Sequence, residues 1–234
     1  MQRLRIDVWS DIACPWCYVG KRRLEAALAR FPRRDAVTLV WRSFELDPAG
    51  PRTAEPGGSI AARLARKYGT GLAQADLMLR RMTATAAADG IDMRFDRLRP
   101  GNTFDAHRLL HRAHEHGRQD ALKERLFRAY FTDGEAIGDP GVLARLAGEA
   151  GLDVAEARDV LASDAHARDV RADEEQARRL GVTGVPFFVL GGRHGVSGAQ
   201  PSDVLLTALA TAWAEANPDA ATADGAVCGP DGCT

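Results

Sequence analysis

The chain has 234 residues, 31 basic and 32 acidic side chains, and a formal net charge of −1. That length holds one large domain or two small ones around a real core. The near-neutral balance, with no basic stripe, argues against a nucleic-acid partner, and no apolar run is long enough to cross a bilayer. Lysine appears only at positions 21, 67 and 123, which reads as codon bias.

Taken in chain order, residues 3–9 read as a strand and 15–31 as a helix, with Pro15 in the favoured first turn. Residues 37–44, rich in β-branched and aromatic side chains, read as a second strand. A Pro/Gly-rich stretch from Asp47 to Gly58 marks a boundary. Helical periodicity then continues over 59–68, 72–88, 103–116, 119–131, 140–150, 153–162 and 165–180. Ser59, Asp105, Asp139, Asp153 and Asp164 are the expected N-caps; Gly90, Gly117, Gly151 and Gly181 are the expected stops. Strand character returns at 185–190. Gly191-Gly192 turns the chain into a returning strand at 193–197, and 201–216 is the last helix. The tail, 217–234, has no periodicity. The order is strand–helix–strand, a helical block, then helix–strand–strand–helix. That is an α/β thioredoxin fold split by a large all-helical insertion. Residues 1–50 and 165–216 form the thioredoxin-like part, 51–164 the insertion, and 217–234 a separate tail.

The chemistry concentrates at Cys14-Pro15-Trp16-Cys17, between the first strand and the first helix. Two thiols at this spacing can close a small disulfide ring and reopen it. Free N–H groups and the dipole at a helix start favour an anion, hence the thiolate that performs disulfide exchange. Cys14, at the helix tip, is the attacking residue. Cys17, one turn in, is more buried and resolves the mixed disulfide. The other two cysteines, Cys228 and Cys233, also form a close pair, so none is left as a staple across the fold. A four-cysteine zinc site is the rival reading of both pairs. Proline inside the first pair and the great sequence distance between the pairs favour redox, and no metal is expected.

Several stretches carry a family resemblance. They are Trp9-Ser10-Asp11-Ile12-Ala13-Cys14-Pro15-Trp16-Cys17-Tyr18-Val19-Gly20, Trp41-Arg42-Ser43-Phe44-Glu45-Leu46-Asp47-Pro48, Asn102-Thr103 with Ala106-His107-Arg108-Leu109, Ala129-Tyr130-Phe131 with Gly134, Leu180-Gly181-Val182-Thr183-Gly184-Val185-Pro186-Phe187-Phe188-Val189 and Ser197-Gly198-Ala199-Gln200-Pro201. With these, the chain resembles the DsbA-like branch of the thioredoxin superfamily, and closely its cytoplasmic FrnE-like subfamily. The resemblance implies a protein thiol–disulfide oxidoreductase or isomerase. It makes Val185–Pro186 the cis-proline bond facing the cysteines, with the Val185 backbone pairing to an extended substrate segment. It also implies that the tail's CxxxxC, Cys228 to Cys233, is an auxiliary redox pair exchanging with Cys14/Cys17. The motif departs from the periplasmic oxidants in having Pro-Trp where they have Pro-His. Without that histidine's charge, only the helix terminus lowers the Cys14 pKa, by roughly one from about 8.5, since it contributes about 0.3–2 kcal/mol.

Other residues divide between function and packing. Pro15 and Trp16 are read as substrate contacts and Tyr18 as core. Asp7, on the first strand, is either a buried acid that moves protons for the cysteines or an exposed edge carboxylate. His107, His111 and His114 share a helix face that is read as solvated or internally bonded, with His107 near the cleft. The arginine pairs at 33–34, 80–81 and 178–179 are read as solvated faces. No dissociable cofactor is needed; electrons come from a thiol donor such as glutathione or a thioredoxin system. The partners are protein thiols and disulfides, with no membrane, and the chain works as a monomer or homodimer. The N-terminus lacks the features of a signal peptide, so a cytoplasmic location is expected. The competing enzyme class is a glutathione-dependent isomerase or kappa-type transferase on the same fold, which usually carries serine at the first motif position. A second rival is a non-catalytic chaperone.

Overall fold

The computed structural model describes residues 2–52 and 59–218. A four-stranded sheet of order β2-β1-β3-β4 is built from β1 (Leu4–Ser10), β2 (Val37–Ser43), β3 (Phe187–Leu190) and β4 (His194–Ser197). β1 pairs parallel with β2, across the crossover helix α1 (Pro15–Arg30), and antiparallel with β3. The β3–β4 turn places Gly191 and Gly192 at φ +59° and +72°, a left-handed region open to glycine at little cost. α9 (Ser202–Ala216) packs against α1.

Strand alternation sorts the two faces. Leu4, Ile6, Val8, Phe188 and Leu190 bury against Leu24 and Ala27 of α1, its C-cap Phe31, and Leu205, Leu209 and Trp213 of α9. Trp9 and Val189 point to the other face, against Ala177 and Val182. The insertion supplies α2 (Ile60–Tyr68), α3 (Leu72–Ala88), α4 (Phe104–Glu115), α5 (Gln119–Arg128), α6 (Pro140–Glu149) and α7 (Val154–Ala162), and α8 (Ala167–Arg179) leads back to the sheet. Its core holds Leu109, Leu122, Leu126, Phe127, Phe131 and Leu143, and into it plug Ile12, Cys14, Cys17, Tyr18 and Val19. The start of α1 therefore sits where the sheet layer and the insertion meet. Each fully buried Leu or Phe there is worth about 1.5–3 kcal/mol of transfer free energy.

The helices also close the β2 edge of the sheet. Gln119 brackets Trp41: its Oε1 accepts from the Trp41 N–H and its Nε2 donates to the Trp41 carbonyl, both at 2.9 Å. The Ser43 N–H donates to Asp173 Oδ2 at 2.9 Å. Side chains thus occupy positions where another strand would pair.

Element types match the periodicity throughout. Ser59, Asp139 and Asp153 accept backbone N–H bonds as N-caps. Gly90, Gly117, Gly151 and Gly181 each stand two positions past a helix end. Two caps differ. Asp105 lies inside α4, bonded to Arg108, while Asn102 Oδ1 accepts from the Phe104 N–H. α8 starts after His166 rather than Asp164. Arg108 is common to both places: it engages the Asp105 carboxylate, and it donates to the carbonyls of Ala165, Val160 and Ser163, which fixes the α7–α8 turn. The helix expected over 119–131 passes at Ala129 into a π-helical turn that ends at Gly134. The strand expected from 185 starts at Phe187, after the Val185–Pro186 bond.

Candidate functional site

Cys14 is the N-cap of α1, in an extended conformation, and Pro15 opens the helix without a wasted N–H. Both cysteines are free thiols, Cys14 4% exposed and Cys17 fully buried. Across from them the Val185–Pro186 peptide is cis. The Cys14 thiol donates to the Val185 carbonyl at 3.5 Å. The far side of the loop is fixed by the Gly198 N–H, which donates to the Pro186 carbonyl at 2.8 Å. Gly20, one turn below Cys17, lets this loop approach: a Cβ there would lie 2.8 Å from Pro186 Cγ. Trp16 is 46% exposed beside the cysteines. Tyr18 is buried, its ring stacked on Phe127 at 4.8 Å and its hydroxyl donating to Glu124 at 3.0 Å.

The expectation that the helix start lowers the Cys14 pKa is overturned. The Cys14 thiol is raised well above its ordinary value by its hydrogen bond with Cys17, then by burial, then by the charge of Cys17 and Asp11. The Cys17 backbone N–H at the helix start opposes this and does not win. Enclosed beside a second sulfur, the Cys14 thiol resists ionising, because its anion would be cut off from water.

The buried acid of the site is Asp11, not Asp7. Asp7 does sit on the central strand, but on the sheet face opposite α1, where it accepts from Arg42 at 2.7 Å and Arg5 at 2.8 Å. Asp11, in the turn before Cys14, is 1% exposed. Its Oδ2 accepts from the Leu46 N–H at 2.8 Å, and its Oδ1 lies 3.4 Å from His107 Nε2. Burial alone would raise its pKa, but the hydrogen bonds from His107, Leu46 and Thr103 hold it below the ordinary 3.8. Burial pushes His107 below its ordinary 6.5 despite Asp11, so His107 stays neutral near pH 7 and donates from Nε2. His107 therefore belongs to the site as a partner of Asp11. His111 turns instead to Ser43 Oγ and Asp173, each 3.1 Å away, and His114 is exposed.

Sequence reasoning passed over two residues. Asp11 stood inside the Trp9–Gly20 stretch without being singled out. Lys123, on α5, is fully buried and close enough to Cys17, Asp11 and Cys14 to feel their charge. Its one available signal was the rarity of lysine in the chain. Cys228 and Cys233 lie outside the described residues. Among the described residues no three His, Cys, Asp or Glu side chains converge as a metal site, and no helix is long and apolar enough to cross a membrane.

A dithiol at a helix tip, faced by a cis X-Pro loop, on a sheet of this topology defines a thioredoxin-fold protein of the DsbA kind. The chain belongs to the DSBA-like thioredoxin domain family, whose model matches residues 5–210. It is similar to the probable DsbA oxidoreductase SCO1869 from Streptomyces coelicolor, whose crystal structure superposes with a TM-score of 0.84 at 46% identity over 99% of both chains. It is 28% identical to the uncharacterized protein YwbO of Bacillus subtilis (strain 168), over 88% of this chain and 96% of that one. The cytosolic disulfide reductase DsbM of Pseudomonas aeruginosa shares the fold, with a TM-score of 0.61 at 18% identity over 93% of this chain and 99% of that one.

Proposed function

We propose that this oxidoreductase reduces or rearranges protein disulfides through Cys14 and Cys17. The observation that carries the reading is the 3.5 Å contact of the Cys14 sulfur with the Val185 carbonyl across the cis Val185–Pro186 bond. Cys14, as thiolate, attacks one sulfur of a substrate disulfide; a mixed disulfide forms and the substrate's other sulfur leaves as a thiolate. Once Cys14 has lost its proton, the Val185 carbonyl is released to accept an N–H from an extended substrate segment. Cys17 then displaces the second substrate sulfur and closes the Cys14–Cys17 disulfide. A thiol donor such as glutathione or a thioredoxin system returns the pair to the dithiol, with no bound cofactor. Pro15 and exposed Trp16 give the client an apolar resting surface, which suits unfolded chains of many sequences.

The same reading assigns Cys228 and Cys233 as an auxiliary pair that exchanges with Cys14/Cys17, and sets the protein in the reducing cytoplasm, compatible with a cytosolic reductase on the same fold. The test is insulin reduction with a thiol donor. The native chain turns over, Cys14→Ser abolishes turnover, and Cys17→Ser accumulates mixed disulfides on Cys14. Turnover that survives Cys14→Ser, or glutathione-dependent isomerisation of an aromatic substrate with no insulin reduction, replaces this reading with the isomerase class.

A further inference from the structure

Two of the three lysines are buried, and their surroundings differ in kind. Lys21, 2% exposed, is ringed by carboxylates: Glu25, Asp120 at 3.4 Å and Glu124 at 3.2 Å. Lys123, fully buried, has no carboxylate within ion-pair distance among the described residues. Its hydrogen bond is a long one, 3.4 Å to the Ser10 carbonyl, and its Nζ stands over the rings of Phe127 and Trp41 at 4.9 and 5.5 Å. A buried ammonium with no direct ion-pair partner costs several kcal/mol. Ser10 is the last residue of β1, so Lys123 reaches the root of the turn that carries Asp11 and Cys14. The ionisable groups facing it are Cys14, Cys17 and Lys21 of α1, Asp11 of the turn and His107 of α4. Cys17 is the largest attraction it feels, ahead of Asp11 and Cys14.

We propose that Lys123, delivered from the helical insertion, is the buried cation that holds the Cys17 sulfur as an anion during resolution of the mixed disulfide. The inference rests on the dithiol chemistry proposed above. The proton that leaves the Cys17 S–H is balanced by the one the departing substrate takes up, and the resulting thiolate is buried within the electrostatic reach of the Lys123 ammonium. Its electron pair forms the bond to Cys14 Sγ, the bond from Cys14 to the substrate sulfur breaks, and the substrate leaves as a thiolate that takes up a proton. Burial keeps the Lys123 pKa down at about 8, against an ordinary 10.5, so the ammonium prevails at neutral pH and the cation is present when the anion forms.

The test uses the whole chain and a thionitrobenzoate disulfide in stopped flow, which separates bimolecular attack by Cys14 from the intramolecular release driven by Cys17. In Lys123→Met the second phase slows about tenfold or more at neutral pH, the rate loss for a thiol pKa one higher, and its pH profile moves upward. Folding stability is unchanged or raised, because a buried charge is removed and no direct ion pair is lost. A purely structural lysine would give the reverse pattern, lower stability with an unmoved pH profile. A second phase within twofold of the native chain overturns the inference. If the variant fails to fold, the Nζ resonance of the native chain is titrated in both redox states. The ammonium persists to higher pH in the dithiol, where the sulfurs can carry charge, than in the disulfide; equal titrations overturn it. Failure of insulin reduction with the lysine dependence intact removes the protein-substrate reading alone.

Discussion

Gly20→Ala sets two opposing effects against each other at the closest approach of α1 to the prolyl loop. The added Cβ would stand 2.8 Å from Pro186 Cγ and 3.4 Å from both Pro186 Cβ and Phe188 Cζ. Carbon atoms in contact rest at about 3.5–4.0 Å, so Pro186 or the helix must yield by roughly 0.7–1.2 Å. Alanine is the better helix former by about 1 kcal/mol. Overpacking a tight site costs about 1–3 kcal/mol. The expected net loss is therefore small, between zero and about 2 kcal/mol, read from urea unfolding. The functional loss is larger. The loop that moves carries Val185, whose carbonyl touches the Cys14 sulfur at 3.5 Å. A displacement near 1 Å at a reacting centre can cost up to about a hundredfold in rate, so insulin reduction falls by one to two orders of magnitude. A variant more stable than the native chain by about 0.5 kcal/mol or more, with its rate within twofold, would refute the reasoning. It would mean that helix propensity prevailed and the loop had room.

Trp16→Ala leaves stability within about 0.5 kcal/mol, since the side chain is 46% exposed. It raises KM for a protein disulfide while glutathione disulfide reacts as before. Gln119→Ala strips the Trp41 N–H and carbonyl of their partners at the buried sheet edge. At about 1–3 kcal/mol for each of the two unpaired groups, stability drops by roughly 2–6 kcal/mol, measured by the urea midpoint. Acid acts through His107 first. Its folded pKa lies below the ordinary 6.5, so on acidification the unfolded chain takes the proton first and stability falls as pH drops below about 6.5. His107→Gln flattens that stretch of the urea midpoint against pH. Asp11, lowered from 3.8, contributes stability that is intact above about pH 4 and lost below it, so a steeper loss there survives the His107 substitution and disappears in Asp11→Asn.

The amino-acid sequence by itself determined the local events: strand and helix periods, the glycine stops, and a dithiol placed where a strand turns into a helix. The reactive loop at Val185–Pro186 was legible only through the family resemblance, since by itself a proline at the start of an apolar strand also fits an edge strand. Side-chain networks overrode the sequence where they were long-range, as when Arg108 rearranged the ends of α4 and α8. The tertiary structure alone decided which acid lies with the sulfurs. Asp7 and Asp11 are both near Cys14 in sequence, but strand alternation sends Asp7 to the far face and the turn sends Asp11 inward. It alone decided the ionisation of Cys14, since a helix terminus acts through nearby N–H groups whereas burial is set by everything packed around the thiol. And it alone brought Lys123 to the site. Nothing in its own segment distinguishes that lysine from a solvated one; the packing of α5 against the first turns of α1 encloses it with the two sulfurs.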